Sequence, residues 1–527
     1  MSVKLYPVTH VGDECKDYDV KVNGQVADLA SVRVSNVPFN TPWPGHQRQK
    51  SQTELVNFLS YESDEPVTFA ITPKQPFTSV VVRPLSLGIQ PEIIDGTIRF
   101  TLDKPAFVTV EPYGINKALH IFGDPVSNYS MNFNDENVLY FGKGVHEVGT
   151  IELTSGQTLF LDEGAVVFGC VHAIDANDIK IIGRGILDGG RTHEQILCNK
   201  NDAKQSHAVQ NETRQHAISL EYCTNITIDG ITIREALHYN IKPFACENLH
   251  ISNIKVIGSW RYNTDGIDTN NCKNVLIEDS FFRTFDDAVA VKGMDFVYGG
   301  IEEIIKPIEP GVLLFGDEAI RKVTYRNGKV YDESCNIHTR RCTVWSDYSG
   351  SFVVGAETNA EQMYNILFEN CDVIHFNCGA LDVHNVDYAH IHDVEFRNIN
   401  LEYDDVVLMP THQNSDDQVY ENTNPNWTPW LLAVRTICHP NYSLGAKRGK
   451  TDNIIFRNIR MFGKHRPAIM LKGHDDEHKT KDILIENLYH NGEPVTDWDA
   501  FYIEKNEYIQ NIKLAFTSQL NDPADEN

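Results

Sequence analysis

Three segments of the chain begin alike: CTNITIDGITI from Cys223, CENLHISNIKVI from Cys246 and CKNVLIEDSFF from Cys272, with starts 23 and 26 residues apart. Each is Cys-x-Asn followed by alternating apolar residues. A repeat with a period of about 20 to 50 residues marks a solenoid, whose units bury their apolar edges only against their neighbours. The apolar residues recur with a period of two and show no helical spacing, so each unit consists of short strands. Weaker copies begin at Asn177 (NDIKIIGRGILDGG), Tyr364 (YNILFENCDVIHF), Ala389 (AHIHDVEFRNINLEY), Asp452 (DNIIFRNIRMFG) and Lys481 (KDILIENLYHNG). The pattern predicts an all-β chain built on a right-handed parallel β-helix over about residues 135–515, with like residues stacked on like. Stacked asparagines satisfy one another as amide ladders. None of the eleven cysteines lies in a CxxC or metal-ligand spacing, and the repeat predicts Cys223, Cys246 and Cys272 as interior free thiols.

Residues 66–111 also alternate, but Pro and Gly turns separate their strands and no Asn repeat is present. That is the pattern of an antiparallel sandwich. We therefore expect an N-terminal β-sandwich at 1–125 and a β-helix domain at 126–527. The segment 416–434, DDQVYENTNPNWTPWLLAV, breaks the coil rhythm and reads as a long loop. Loops off a solenoid carry its binding surface, so Trp427 and Trp430 are candidate substrate-binding residues.

With 46 Lys and Arg against 73 Asp and Glu, the net charge is −27. Nucleic acid and anionic membranes both demand a basic surface, so neither is an expected partner. The first twenty residues lack the apolar run of a secretory signal, and no stretch approaches the roughly 20 apolar residues of a membrane span. The expectation is a soluble cytoplasmic chain, or a secreted one if a leader has been removed. Oligomeric state has no signal in the sequence.

The stretch RYNTDGIDTNN (261–271) places acids and amides where a strand should carry apolar residues. Asp265 falls at an outward turn of its coil, and Asp286 and Asp287 in RTFDDAVAVKG follow 21 and 22 residues later. Coils stack about 4.8 Å apart, so three carboxylates crowd one patch. Like charges that close raise one another's pKa, which costs stability unless chemistry uses them. A protonated and an ionised carboxyl flanking a bond is what glycoside hydrolysis requires, with about 6.5–9.5 Å between them for inversion. Lys292, on the same strand, would keep carboxylates ionised or contact a sugar hydroxyl. KGHDDEHK (472–479) and HIHD (390–393) gather His and acids without metal-ligand spacing.

The run from Glu235 to Gly293 resembles the core of the polygalacturonase family, glycoside hydrolase family 28, in its Asn-Thr-Asp-Gly motif (263–266) and its Asp-Asp pair one coil on. It is also similar to the dextranase and isopullulanase family, family 49, which carries the β-helix, three aspartates and an N-terminal β-sandwich. The resemblance implies a pectin-lyase-like fold and an inverting hydrolase of oligo- or polysaccharides. Asp286 would be the general acid, Asp265 and Asp287 would hold and deprotonate water, and no metal or cofactor is needed. The motif spacing matches family 28 and pectic, α-linked substrates, whereas the sandwich matches family 49 and neutral α-glucans. Where family 28 carries Gly-His-Gly, this chain reads DYSGSFVVGAETNAE (347–361), with Glu357 nearby. In place of the Arg-x-Lys clamp for a uronate carboxyl it offers Arg435 and His439. A non-catalytic carbohydrate-binding β-helix stands as the alternative outside the enzymes.

Overall fold

The computed structural model describes residues 3–36, 39–40, 52–190, 216–293, 304–307, 322–402, 411–412, 421, 427–439, 443, 448–464 and 468–517. Among them the chain is almost wholly β. One continuous 31-stranded sheet winds from Val138–Phe141 to Ile509–Ala515, and its strands pair in parallel with their counterparts one coil on. The aliphatic residues that alternate in the sequence form a single interior column, from Ile151 and Leu159 through Ile251 and Ile277 to Ile483 and Ile485.

The Cys-x-Asn frame has a two-part cause. Cys223, Cys246 and Cys272 are fully buried in that interior, and each S–H donates to a backbone carbonyl. The asparagine two residues on turns a corner with left-handed backbone, at φ 56° for Asn225, 59° for Asn248 and 57° for Asn274. Asparagine tolerates that region better than other side chains with a Cβ. Its amide then donates along the stack: Asn248 to Asn225 at 3.1 Å, Asn274 to Asn248 at 3.1 Å and Asn336 to Asn274 at 2.9 Å. A second ladder runs Asn370, Asn398, Asn458 and Asn487. A small antiparallel sheet, Ile304–Pro307, Lys322–Arg326 and Lys329–Tyr331, is inserted between two coils.

The N-terminal region forms two sheets, one carrying Thr53–Glu62, Leu119–Asp124 and Phe107–Ile115, the other Tyr18–Val22, Val67–Pro73 and Thr97–Leu102. They close over a shared core that includes Val20, Phe69, Ile98, Val108 and Ile121. The pairing is not purely antiparallel as expected, because Leu119–Asp124 runs parallel to Thr53–Glu62. The outer face of the first sheet does not face water: Val32, Phe58 and Phe122 pack with Ile257, Phe281 and Trp345 of the β-helix. Buried ion pairs pin this contact, Lys255 to Asp124 at 2.6 Å and His375 to Glu111 at 2.8 Å. Although burial pushes the other way, His375 and Arg83 hold the Glu111 carboxyl at about 2. Burial lowers Lys255 to about 8, partly offset by Asp124.

Residues 416–420 and 422–426 of the expected loop lie outside the described residues. Its end is not loop at all, since Trp430 opens the coil strand Trp430–Thr436.

Two outcomes follow from this packing. In the folded protein a water-soluble thiol reagent should modify exposed Cys438 rapidly and buried Cys223, Cys246 and Cys272 only on unfolding; fast labelling of all three would refute the interior stack. Asp124→Asn, which strips a buried ammonium of its partner, should cost about 3–5 kcal/mol in denaturant unfolding, and a loss under about 1 kcal/mol would show that the pair does not hold the two parts together.

Candidate active site

The Asn-Thr-Asp-Gly turn has a local reason for every residue. Asn263 adopts left-handed backbone at φ 56°, which aims its N–H at Asp286 Oδ2, 3.2 Å away. The Thr264 hydroxyl closes the turn by donating to Arg261 O at 2.6 Å. Gly266 lets two coils approach, because a Cβ there would lie 2.2 Å from the carbonyl oxygen of Ala288. The backbone then locks the register: Gly266 N–H donates to Asp287 O at 2.8 Å, and Ile267 N–H to Ala288 O at 3.0 Å.

That register brings the three predicted aspartates together. One carboxylate oxygen from each of Asp265, Asp286 and Asp287 lies within 4.8 Å of the others, the only such group of acids, His or Cys among the described residues. One expectation changes here: Asp265 is not on an open surface but 2% exposed. Asp287 is held in place by the Ser349 hydroxyl at 2.6 Å and the Gly350 N–H at 3.0 Å. Ser349 and Gly350 belong to the stretch 347–361, which stands where the resemblance leads one to expect Gly-His-Gly.

Lys292 is the counter-charge. Its buried ammonium lies 2.8 Å from Asp268, 3.3 Å from both Asp265 and Glu357, and 3.9 Å from Asp287. Burial alone would lower its pKa, but the surrounding acids, Asp268 foremost, hold it well above the usual lysine value. Any metal entering the aspartate group would have to compete with this ammonium. Burial raises Asp286 to about 7, with the charge of Asp287 adding to it and Lys292 opposing. Burial, then the charges of Asp268 and Asp286, push Asp265 well above the carboxylate range. Asp268 rises to about 6 through burial, against Lys292. A site that crowds this many acids retains protons at neutral pH and can both give and take one.

Of the predicted residues, Asp265, Asp286, Asp287, Lys292 and Glu357 therefore meet. Trp430 and Arg435 stand three strands farther along the stack, with Arg435 paired to Asp382 at 2.5 Å. His439 follows, its ring 5.7 Å from that of His384, and Trp427 is half-buried. Asp268, Asp382 and His384 were missed. Asp268 was visible as the acid three residues after Asp265 and of the same outward parity as Lys292, whereas Asp382 and His384 sit in a coil, GALDVHN, that has no family signal. At 472–479, His478 pairs with Asp475 at 2.8 Å, and no cluster of three metal ligands forms there.

Residues 149–297, which include all three aspartates, match the Glycosyl hydrolases family 28 profile. A probable polygalacturonase of Vitis vinifera is 29% identical over 203 residues, covering 34% of this chain and 41% of that protein. A dextranase of Arthrobacter sp. (strain CB-8) is 22% identical over 191 residues, covering 33% of this chain and 29% of the dextranase. The matches thus span less than half the length of these relatives. Dex49A from Penicillium minioluteum, 14% identical, superposes over 96% of both chains with a TM-score of 0.53, a likeness of fold. By its motif, its matched segment and its architecture, the chain is a family-28-like protein related to the dextranases.

Proposed function

We propose that the chain is an inverting glycoside hydrolase that cleaves α-linked pectic polysaccharide or its fragments at Asp265, Asp286 and Asp287. The observation that carries this reading is the convergence of one carboxylate oxygen from each of Asp265, Asp286 and Asp287 within 4.8 Å of the others, and burial pushes Asp286 up to about 7. Asp286 donates its proton to the leaving glycosidic oxygen. While Asp286 is protonated, Asp265 faces one charge fewer and Lys292 at 3.3 Å favours its ionised form. Asp265 and Asp287, whose nearest oxygens lie within 4.8 Å, then hold a water that hydrogen-bonds both at about 2.7 Å. That water attacks the anomeric carbon and loses its proton to the pair. Lys292 and Glu357 position these carboxylates, and the two tryptophans with Arg435 and His439 extend the sugar-binding surface along the stack. The polygalacturonase matches support a pectic substrate. A neutral α-glucan is the second reading, favoured by the dextranase match.

Release of reducing ends from polygalacturonan, pectin and dextran tests the substrate class directly, and no release from any of them would refute the hydrolase. On the best substrate, Asp286→Asn, Asp265→Asn and Asp287→Asn should each lower kcat about 10²- to 10⁴-fold. Stability should move the other way for Asp286. A carboxyl with a raised folded pKa binds its proton more tightly in the folded state, so its contribution to stability falls as pH rises from about 4 through 7. Asp286→Asn should therefore be at least as stable as the parent at pH 8, and a loss of stability with retained activity would mark a structural turn acid instead.

The pH–rate profile should be a bell whose basic limb reports the proton on Asp286. Since Lys292 opposes the rise of Asp265, Asp268 and Asp286, Lys292→Met should move both limbs to higher pH. An unshifted profile with reduced kcat would assign Lys292 to sugar binding rather than to holding the charge.

A further inference from the structure

Farther along the stack from the aspartates, Asp382 and Arg435 form a pair whose opposite charges are already matched. Ala290, Val353, Asp382 and Ala433 are register partners in successive strands, so Asp382 stands two coils beyond the strand that follows Asp287, about 10 Å along the stack. His384 is the register partner of Arg435 on the neighbouring strand. Asp382 is 8% and His384 6% exposed. Asp382 Oδ2 accepts from Arg435 at 2.5 Å, while Asp382 Oδ1, His384 Nε2 and Arg435 Nε are buried without a hydrogen-bond partner. Buried polar atoms are almost always paired in a folded protein, with protein or with ordered water, so three orphans side by side leave donor and acceptor capacity for a polar group of solvent or ligand. Beside them the floor is bare: the nearest atom to a side chain at Gly379 would be Asp382 Cβ, at 4.0 Å, and Trp430 is the register partner of that glycine.

We propose that Asp382, His384 and Arg435 form a subsite for a sugar unit that carries no free carboxylate. This rests on the hydrolase reading above and specifies which part of a pectic chain the site accepts: a methyl-esterified uronate or a neutral sugar. A hydroxyl both donates and accepts. One hydroxyl of a vicinal diol donates to Asp382 Oδ1 while accepting from Arg435 Nε, and its neighbour pairs with His384 Nε2. A free carboxylate fits badly. It cannot donate to Asp382, and it would place a second negative charge against a guanidinium already neutralised. His384 does not supply the missing positive charge, because burial, then Arg435 and His439, hold its pKa well below the usual histidine value. Asp287 adds further negative potential at Asp382.

The test is calorimetric binding of three matched oligosaccharides to the slow Asp286→Asn variant: a galacturonate oligomer, its methyl ester and its carboxyl-reduced, galactose-unit form. The two uncharged forms should bind at least tenfold more tightly than the free acid. Asp382→Asn should free Arg435 and bring the acid to within about twofold of the ester or beyond it, an inversion that a merely structural ion pair would not produce. Equal or tighter binding of the free acid to the parent, an acid-to-ester ratio unmoved in a folded Asp382→Asn variant, or no binding of any of the three would overturn the proposal. Failure of the unmutated enzyme to release reducing ends from all three forms, with the binding ratio as predicted, would instead sink the hydrolase reading and leave the subsite standing.

Discussion

Everything at the site depends on the register between adjacent coils. Backbone hydrogen bonds set that register strand by strand, and left-handed asparagines fix it at the corners, where each amide donates to the asparagine of the coil before. A slip of one residue would turn the interior cysteines outward and carry Asp265 away from Asp286. Gly266 is where this register is closest at the site, since its lack of a side chain admits the Ala288 carbonyl of the next coil. The same stacking that makes the fold stable therefore also makes the carboxylates crowd.

Crowding is the source of the chemistry. Two unit charges about 4.8 Å apart repel by on the order of 3 kcal/mol at an effective dielectric constant near 20, enough to displace a carboxyl by about two pKa units. Burial is the larger influence on Asp265, Asp268 and Asp286, and like charge comes second for Asp265 and Asp286. Lys292 opposes both by bringing one positive charge within 4.0 Å of four acids. One cation cannot neutralise four carboxylates, so the cluster keeps protons that isolated aspartates would lose.

Local repetition made most of the fold legible in the sequence. Cys-x-Asn recurs because one position must be small and apolar inside the coil and another must tolerate left-handed backbone, and both demands appear as residue identity. The aspartate cluster was legible for the same reason, since separations of 21 and 22 residues equal one coil. The Asp382–Arg435 pair was not, because 52 residues, about twice the 23 or 26 of the repeat, lie between two residues on strands that are neighbours in space. Burial of Asp265 was also hidden: alternation says that a residue points outward, not what covers it. Nor does any local pattern announce that a sandwich face is apolar on both sides. Val32, Phe58 and Phe122 read as ordinary strand residues until Phe281 and Trp345 are seen against them.

The number of carboxylates bears on the stereochemistry. In retaining enzymes one of two carboxylates attacks the sugar directly. Here three acids converge, and two of them can hold a water while the third gives its proton, so the account requires inversion. Proton NMR of the first-formed product, recorded before mutarotation, decides between the two. The account predicts that an α-linked substrate releases the β-anomer first; initial release of the α-anomer would contradict the roles given to Asp265, Asp286 and Asp287.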